Sequence, residues 1–176
     1  MHSLRKPADE LMVQYAHYHR DRRNIATHVV GIPLIVFSIF LFLTWPLVTL
    51  GDAPVTAAWV VWVLGAAWYL SRGQRALGLA TAAVTAALCV MAHSTTQWLL
   101  AQPDMGAPWV WALGCFVVGW VFQFVGHFWE GKKPAFADDL VGLLVGPMFV
   151  VGEVMMALGA LSPLRHTIEA QAGPTR

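Results

Sequence analysis

A histidine and a carboxylate lie three residues apart at the end of a long hydrophobic run. The stretch from Gln123 to Ala135 also contains two lysines and a Gly/Pro combination that stops a helix. On a helix, residues three apart share one face, so His127 and Glu130 point toward the same region of space. The spacing therefore predicts that an imidazole and a carboxylate can reach one ion.

A second polar group precedes the first hydrophobic run, where His19, Asn24 and His28 follow the pattern His-x4-Asn-x3-His. Imidazole and carboxylate suit ferrous iron or zinc, and three such ligands with open positions are what an oxygen-activating iron needs. For each histidine alone, a hydrogen-bonding role at a membrane interface is the better explanation. For the set that explanation is weaker, because ionisable groups beside apolar segments are costly and tend to be functional. The spacing alone leaves a metal site and interfacial hydrogen bonding as equal alternatives.

Two further ionisable residues lie inside hydrophobic runs. His93 is interpreted as a hydrogen-bonding partner of a nearby polar side chain (Ser94, Thr95 or Gln97), with a fourth-ligand role as the alternative. Glu153 is a candidate partner of a ligand histidine or a proton carrier, unless it lies on an interfacial amphipathic helix. Asp138 and Asp139 are predicted to cap the following helix rather than to bind metal.

The composition indicates what must position these residues. Of 176 residues, 57% are hydrophobic and 12% are charged, about half the charged fraction of a soluble domain. The chain is therefore predicted to be an integral membrane protein. With a net charge of +1 it has no general attraction to nucleic acid, and no nucleic-acid partner is expected. Cys89 and Cys115 lie in apolar runs and predict neither a disulfide framework nor a zinc motif.

We expect an all-α integral membrane bundle of four to five transmembrane helices, preceded by a short N-terminal amphipathic helix. Residues 1–28 form a polar segment that contributes site residues, with its helix at about 8–20 and Asn24 as the N-cap of the first spanning helix. Residues 29–161 form the transmembrane domain, and residues 162–176 a disordered tail. The apolar runs cover about 29–50 (with Pro33 in its first turn), 55–70, 76–100, 109–128 and 140–161. The last run contains Pro147 and Glu153, so it is expected to be kinked or re-entrant.

The basic residues orient the bundle. Lys and Arg occur before the first run, at 72 and 75, and at 132 and 133, whereas the other two loops carry Asp52 and Asp104. The positive-inside rule then predicts a cytoplasmic N-terminus, with the 71–75 and 130–139 loops on the same side. This orientation brings the His19/His28 pair and the His127/Glu130 pair to one membrane depth. The N-terminal segment contains no early apolar stretch, so a cleaved signal peptide is not expected.

Motifs of hydrolases, zinc proteases, nucleotide triphosphatases and nicotinamide enzymes are missing from the sequence. The sequence does contain Tyr18-His19…Asn24…His28…Pro33, followed by Gln123-Phe-Val-Gly-His127…Glu130…Pro134-Ala135…Asp138…Leu140…Pro147…Glu153. This pattern, from about Tyr15 to Glu153, resembles the Mpo-like family of small membrane proteins, known in fungi as 2-hydroxy-fatty-acid dioxygenases of α-oxidation.

The resemblance implies an Fe(II)-dependent dioxygenase that consumes O2 and shortens a 2-hydroxy fatty acid by one carbon, without 2-oxoglutarate. His19, His28 and His127 map onto the family's histidines and are the implied metal ligands. With Glu130 they form the candidate catalytic group. The residues expected near substrate or ligands are Asn24, Gln123, Lys132, Lys133 and Glu153, and Arg23 is another candidate to neutralise the carboxylate.

In this hypothesis the acyl tail lies between helices in the bilayer. The expected location is the bacterial inner membrane, and a homo-oligomer is compatible with the sequence. The alternative is a non-catalytic membrane protein that binds metal or haem, or a small proton-coupled transporter using Glu153 and His93. Transport needs polar groups along the whole membrane depth, whereas an interfacial enzyme needs them on one side. A purely structural membrane subunit would leave the histidine group unexplained.

Overall fold

The computed structural model describes residues 3–50, 53–134 and 141–176. Asp138 and Asp139, predicted to cap a helix, lie outside this range. The helices are α1 (Ala8–Ala16), α2 (Arg22–Phe42), α3 (Ala57–Leu70), α4 (Arg75–Leu100), α5 (Pro108–Glu130), α6 (Val141–Ala157) and α7 (Ser162–Ala172). Strands β1 (Pro46–Leu50) and β2 (Ala53–Thr56) pair antiparallel between α2 and α3, and 3-10 turns occupy Ser3–Arg5 and Pro103–Met105.

The all-α membrane bundle is confirmed. Three of the described helices, α2, α4 and α5, are long and apolar enough to cross a membrane. A fourth span results only if α6 and α7, which meet at a bend of 112°, are taken together. At 14 residues, α3 is shorter than the roughly 20 residues that a full span requires. The described part of the chain therefore contains three candidate spans, or up to four, where the apolar runs predicted four to five.

The first spanning helix begins and ends earlier than predicted. Asp21 is its N-cap, accepting a hydrogen bond from the backbone N–H of Arg23 at 2.8 Å, and Asn24 lies inside the helix. The assignment of Asn24 as N-cap is therefore wrong. Residues 46–50, predicted to extend the helix, form β1 instead. Pro33 consequently lies in the middle of the helix rather than in its first turn, and it removes one backbone hydrogen bond there.

Close approach of α2 and α5 depends on glycines. A Cβ on Gly31 would lie 2.8 Å from the carbonyl oxygen of Gly119, and one on Gly126 would overlap Thr27 Oγ1 and Asn24 Oδ1. Small residues let helix backbones approach closely in membranes. The contact brings the histidine of α2 alongside the histidine of α5.

The N-terminal helix packs against the bundle. Leu11 and Met12 are buried in a cluster that includes Met148 and Phe149 of α6. The predicted disordered tail is wrong for residues 162–172, because they form α7, whose Leu164 and Ile168 are buried in the same cluster. This short helix has a polar average composition, and only its contact with α1 and α6 gives it a buried face.

Two of the loops predicted to lie on one side of the membrane contact the N-terminal segment. The backbone N–H of Ala8 donates to the Arg72 carbonyl at 2.9 Å, and Gln74 donates to Asp9 at 2.8 Å. Lys132 Nζ donates to the carbonyl of His17 at 2.7 Å. The N-terminal segment and these loops therefore meet at one end of the bundle.

Candidate metal centre

Three histidines from three parts of the chain meet in the interior. His19 lies in the loop between α1 and α2, His28 in the second turn of α2, and His127 in the last turn of α5. Their exposed fractions are 0%, 1% and 7%. One nitrogen from each ring lies within 4.8 Å of the others, and the ring centroids are 4.5 to 5.0 Å apart. This arrangement is the geometry of a three-imidazole site.

Backbone carbonyls set the orientation of two of these rings. The Nδ1–H of His19 donates to the carbonyl of Tyr15 at 2.7 Å, and the Nδ1–H of His28 donates to the carbonyl of Asn24 at 2.9 Å. Both carbonyls are four residues earlier in the chain. With Nδ1 protonated, each neutral ring keeps its lone pair on Nε2. Such a bond to the far nitrogen is the usual support of a metal-ligating histidine.

The donor set fits a cation. His19 Nε2 lies 3.0 Å from His28 Nε2, so two hydrogen-bond acceptors face each other in the interior. Nδ1 of His127 is buried and makes no hydrogen bond to any residue that the structure describes. A transition-metal ion held by these histidines would accept the facing lone pairs, and three imidazoles suit iron, zinc, copper or nickel.

The environment of His19 favours its neutral form. Burial, assisted by the neighbouring His28, lowers the pKa of His19 well below its ordinary value. The ring stacks on Tyr15, with centroids 4.2 Å apart and planes 2° from parallel. Burial also raises the pKa of the Tyr15 phenol, which therefore stays protonated. A neutral imidazole is the form that binds metal.

Glu130 lies apart from the three-imidazole group and contacts the loop that carries His19. Its Oε2 accepts hydrogen bonds from the backbone N–H groups of Arg20 and Asp21 at 2.9 and 2.8 Å, and from Asn24 Nδ2 at 3.0 Å. The other oxygen lies 3.5 Å from the guanidinium of Arg176. The carboxylate thus joins the end of α5 to the start of α2. Among the described residues, the group able to hold a metal contains the three histidines and not Glu130.

Asn24 and Gln123 both lie next to the histidines. The amide of Asn24 also donates to the Tyr18 carbonyl at 3.1 Å, while its Oδ1 is buried without a hydrogen-bond partner among the residues described. Gln123 is 5% exposed, lies one helical turn before His127, and has a buried Nε2 that likewise has no partner within that part of the chain. Each of these two amides lies one helical turn before a candidate ligand histidine, Asn24 before His28 and Gln123 before His127.

The remaining charged candidates bind the loop rather than the imidazole group. Glu153 accepts from Arg20 at 3.2 Å, and Arg20 also donates to the carbonyls of His19 and Gly173. Arg23 pairs with Asp21 at 2.7 Å. Arg20 was not among the predicted site residues, although its position directly after His19 could have indicated that it holds the loop in place.

The two lysines predicted near the substrate lie at the same end of the bundle. Lys132 is exposed, and its ammonium group donates to the loop through the His17 carbonyl. Lys133 is also exposed and has an interaction partner of its own.

His93 lies far from the three histidines. Its Nδ1–H donates to the Cys89 carbonyl at 2.9 Å, and its Nε2 accepts from Thr56 Oγ1 at 2.8 Å. Thr56 belongs to β2, which follows the far end of α2. His93 is thus a hydrogen-bonding residue, as expected, but its partners are Thr56 and Cys89 rather than Ser94, Thr95 or Gln97.

An apolar cavity of about 310 Å³ opens beside the histidines. We call it the histidine cavity. His28, His127, Gln123 and Tyr15 contribute its polar groups, and its other walls are mainly apolar residues of α2, α5 and α6. The cavity runs along α2 from His28 to Ile39, which at 1.5 Å per residue is about 17 Å. A metal site at the mouth of an apolar channel suits a ligand with a polar head and a long hydrocarbon tail.

Comparison with known proteins agrees with this arrangement. The chain is 29% identical over 157 residues to the 2-hydroxy-palmitic acid dioxygenase of Saccharomyces cerevisiae, covering 88% of this chain and 83% of the yeast protein. No solved structure shows a significant match. The family model described as "2-hydroxy-palmitic acid dioxygenase Mpo1-like" matches residues 5–158, which include all three histidines, and the chain therefore belongs to the Mpo1-like family.

Proposed function

We propose that this protein is an iron-dependent membrane dioxygenase that shortens 2-hydroxy fatty acids by one carbon. The observation that carries the proposal is the buried group of His19, His28 and His127 at the edge of the histidine cavity. The name of the yeast relative supplies the substrate class and the reaction type.

We favour iron over other metals because the proposed reaction requires the activation of O2. When bound, ferrous iron would supply the redox chemistry that O2 activation needs, whereas zinc has none. The three histidines would hold it, with Nδ1 of His19 and His28 fixed by backbone carbonyls. Glu130 acts as a positioning residue, because its carboxylate is occupied by the donors of the His19 loop.

The overall reaction balances without an added reductant. One 2-hydroxy acid and one O2 give the acid one carbon shorter, one CO2 and one water. Cleavage of the bond between the carboxyl carbon and the hydroxyl-bearing carbon supplies the four electrons that O2 accepts. The protein's part is to hold the polar head at the histidines, keep the tail in the apolar cavity, and exclude bulk water.

The substrate head is charged, and cationic side chains near the loop are suited to attract it. Lys132 and Lys133 lie just beyond the end of α5 and are our candidates for this role. Arg23 is less suited, because Asp21 already neutralises it. The basic residues at this end favour an orientation with the N-terminus in the cytoplasm. The bacterial inner membrane stays our proposal for the location.

A proton-coupled transporter has less support. His93 hydrogen-bonds to Thr56 near the far end of α2, and Glu153 pairs with Arg20 beside the His19 loop. These two residues therefore belong to different ends of the bundle, with mostly apolar residues between them. A non-catalytic metal carrier would use the same histidine site. Only a measurement of turnover distinguishes it from the enzyme.

The test is metal analysis of the purified, detergent-solubilised protein, with wild type compared with His127→Ala and the exposed His166→Ala as matched control. We expect near-stoichiometric iron in wild type and His166→Ala, its loss in His127→Ala, and O2 uptake with 2-hydroxypalmitate only where iron is bound. Absence of metal after anaerobic Fe(II) loading would overturn the iron site. Full activity in the single alanine variants of His19, His28 and His127 would overturn the residue assignment. Iron without O2 uptake would favour the carrier.

A further inference from the structure

A second cavity continues the histidine cavity away from the histidines. It has a volume of about 180 Å³ and lies among α2, α3, α4 and α6. We call it the distal cavity. Four residues, Val36, Ile39, Leu143 and Pro147, belong to the walls of both cavities. The two cavities therefore adjoin, with these four side chains in the walls of both.

The distal cavity offers no polar group to a ligand. Of its three polar side chains, Thr85 donates to the carbonyls of Thr81 and Ala82, Tyr69 donates to the Leu144 carbonyl, and Trp62 donates to the Ala82 carbonyl. All three donors are thus already used within the protein. The rest of the wall is apolar. Such a surface suits a saturated hydrocarbon and excludes a carboxylate or a headgroup.

We propose that the distal cavity receives the methyl-terminal part of the substrate's acyl chain and thereby sets the preferred chain length. This inference rests on the proposed function. The distal cavity begins at Val36, about 12 Å along α2 from His28, and includes Ile39, at about 17 Å. A tail that reaches it from the histidines belongs to a long-chain acid. A short-chain 2-hydroxy acid ends inside the histidine cavity and never contacts the distal one.

Gly65 provides the means to fill the distal cavity. It lies on α3 in the cavity wall, and a Cβ added there would meet only Tyr69 Cε2, at 4.0 Å. A Cβ at this position therefore fits without a clash, and a leucine would place further carbon atoms at the wall of the distal cavity. Gly114 is the matched control, because it is also a glycine inside an apolar helix, lines neither cavity, and has nothing within 4 Å of an added Cβ.

The experiment compares wild type, Gly65→Leu and Gly114→Leu, each loaded with Fe(II), on 2-hydroxyoctanoate, 2-hydroxypalmitate and 2-hydroxystearate. Burying one methylene is worth roughly fourfold in affinity, so displacing two or more predicts a loss of about tenfold or greater. We expect kcat/KM of Gly65→Leu to fall by this factor for the two long acids and to stay unchanged for 2-hydroxyoctanoate. Gly114→Leu should match wild type on all three.

Binding gives a readout that is independent of turnover. The same acids are added to the metal-free proteins, and the shift in the midpoint of thermal unfolding is measured. Wild type should be stabilised more by the long acids than by 2-hydroxyoctanoate, and Gly65→Leu should lose that difference. An equal effect of Gly65→Leu on all chain lengths, or none on any, would overturn the inference. Lack of turnover in wild type, with the binding difference intact, would overturn the proposed reaction but not the acyl-chain site.

Discussion

The carboxylate of Glu130 accepts a hydrogen bond from the backbone N–H of Arg20 at 2.9 Å, although 110 positions of sequence separate the two residues. Arg20 directly follows His19, and Glu130 lies three residues after His127. The bond therefore fixes the loop of one candidate ligand to the helix of another. The Glu130 side chain therefore controls the distance between the candidate ligands His19 and His127 without needing to contact a metal itself.

Glu130→Ala should lower both stability and metal content. It would leave the buried backbone N–H groups of Arg20 and Asp21 without an acceptor, each at a cost of about 1–3 kcal/mol, and would remove one of the two acceptors of the Asn24 amide. Glu130→Gln keeps one carbonyl acceptor and should be intermediate. The measurements are the thermal midpoint and the iron content of each variant, with Glu169→Ala, which removes a surface ion pair, as the near-neutral control. Loss of iron at wild-type stability would instead identify Glu130 as a ligand.

Gly126→Ala should force α2 and α5 apart. An added Cβ would overlap Thr27 Oγ1 and Asn24 Oδ1 and would lie 3.2 Å from His28 Nδ1. Overpacking of this kind costs about 1–3 kcal/mol, and the shift should weaken iron binding as well. Circular dichroism melting and metal analysis measure both effects. Gly114→Ala, with open space around the new methyl group, should retain wild-type values, and equal behaviour of the two variants would contradict the close-contact explanation.

Acid should destabilise the metal-free protein through His19. In the folded protein, burial lowers the pKa of His19, whereas in the unfolded chain the pKa of a histidine is about 6.5. The unfolded state therefore binds more protons below that pH, so stability contributed by the neutral ring is lost as the pH falls through about 6.5 toward the folded pKa. Thermal midpoints measured between neutral and mildly acidic pH should fall less steeply in His19→Gln than in wild type. The exposed His166→Gln should keep the wild-type slope, and identical slopes in all three proteins would exclude His19 as the cause.

His93→Gln should leave iron content and turnover unchanged. Its ring bonds to Thr56 and to the Cys89 carbonyl, remote from the three-histidine group, so the loss should be limited to stability, by about 1 kcal/mol. Metal analysis, O2 uptake and thermal melting test this. Loss of iron in this variant would make His93 a ligand, as the less favoured interpretation of the sequence had it.

The sequence by itself determined the membrane bundle and the residue types of the site. Runs of apolar residues specify spanning helices because each residue's cost of transfer to lipid is local and additive along the run. Imidazoles beside apolar segments are costly, which marked the histidines as candidates, and the resemblance to the family selected these three. The apolar pattern also predicted a first helix that is too long, because Leu47 and Val48 are as apolar in strand β1 as they would be in a helix.

Only the tertiary structure decided how these parts are used. Asp21 rather than Asn24 caps α2: the Asp21 carboxylate accepts from the backbone N–H of Arg23, whereas Asn24 lies inside the helix with its amide donating to Glu130 and to the Tyr18 carbonyl. Glu130 looked like a metal ligand from its spacing to His127, yet its oxygens are taken by the His19 loop. Residues 162–172 form a helix that packs on α1, and the local sequence contains no signal of this contact. Hydrogen bonds and packing between segments more than a hundred residues apart have no local pattern, so the fold and not the sequence assigned these roles.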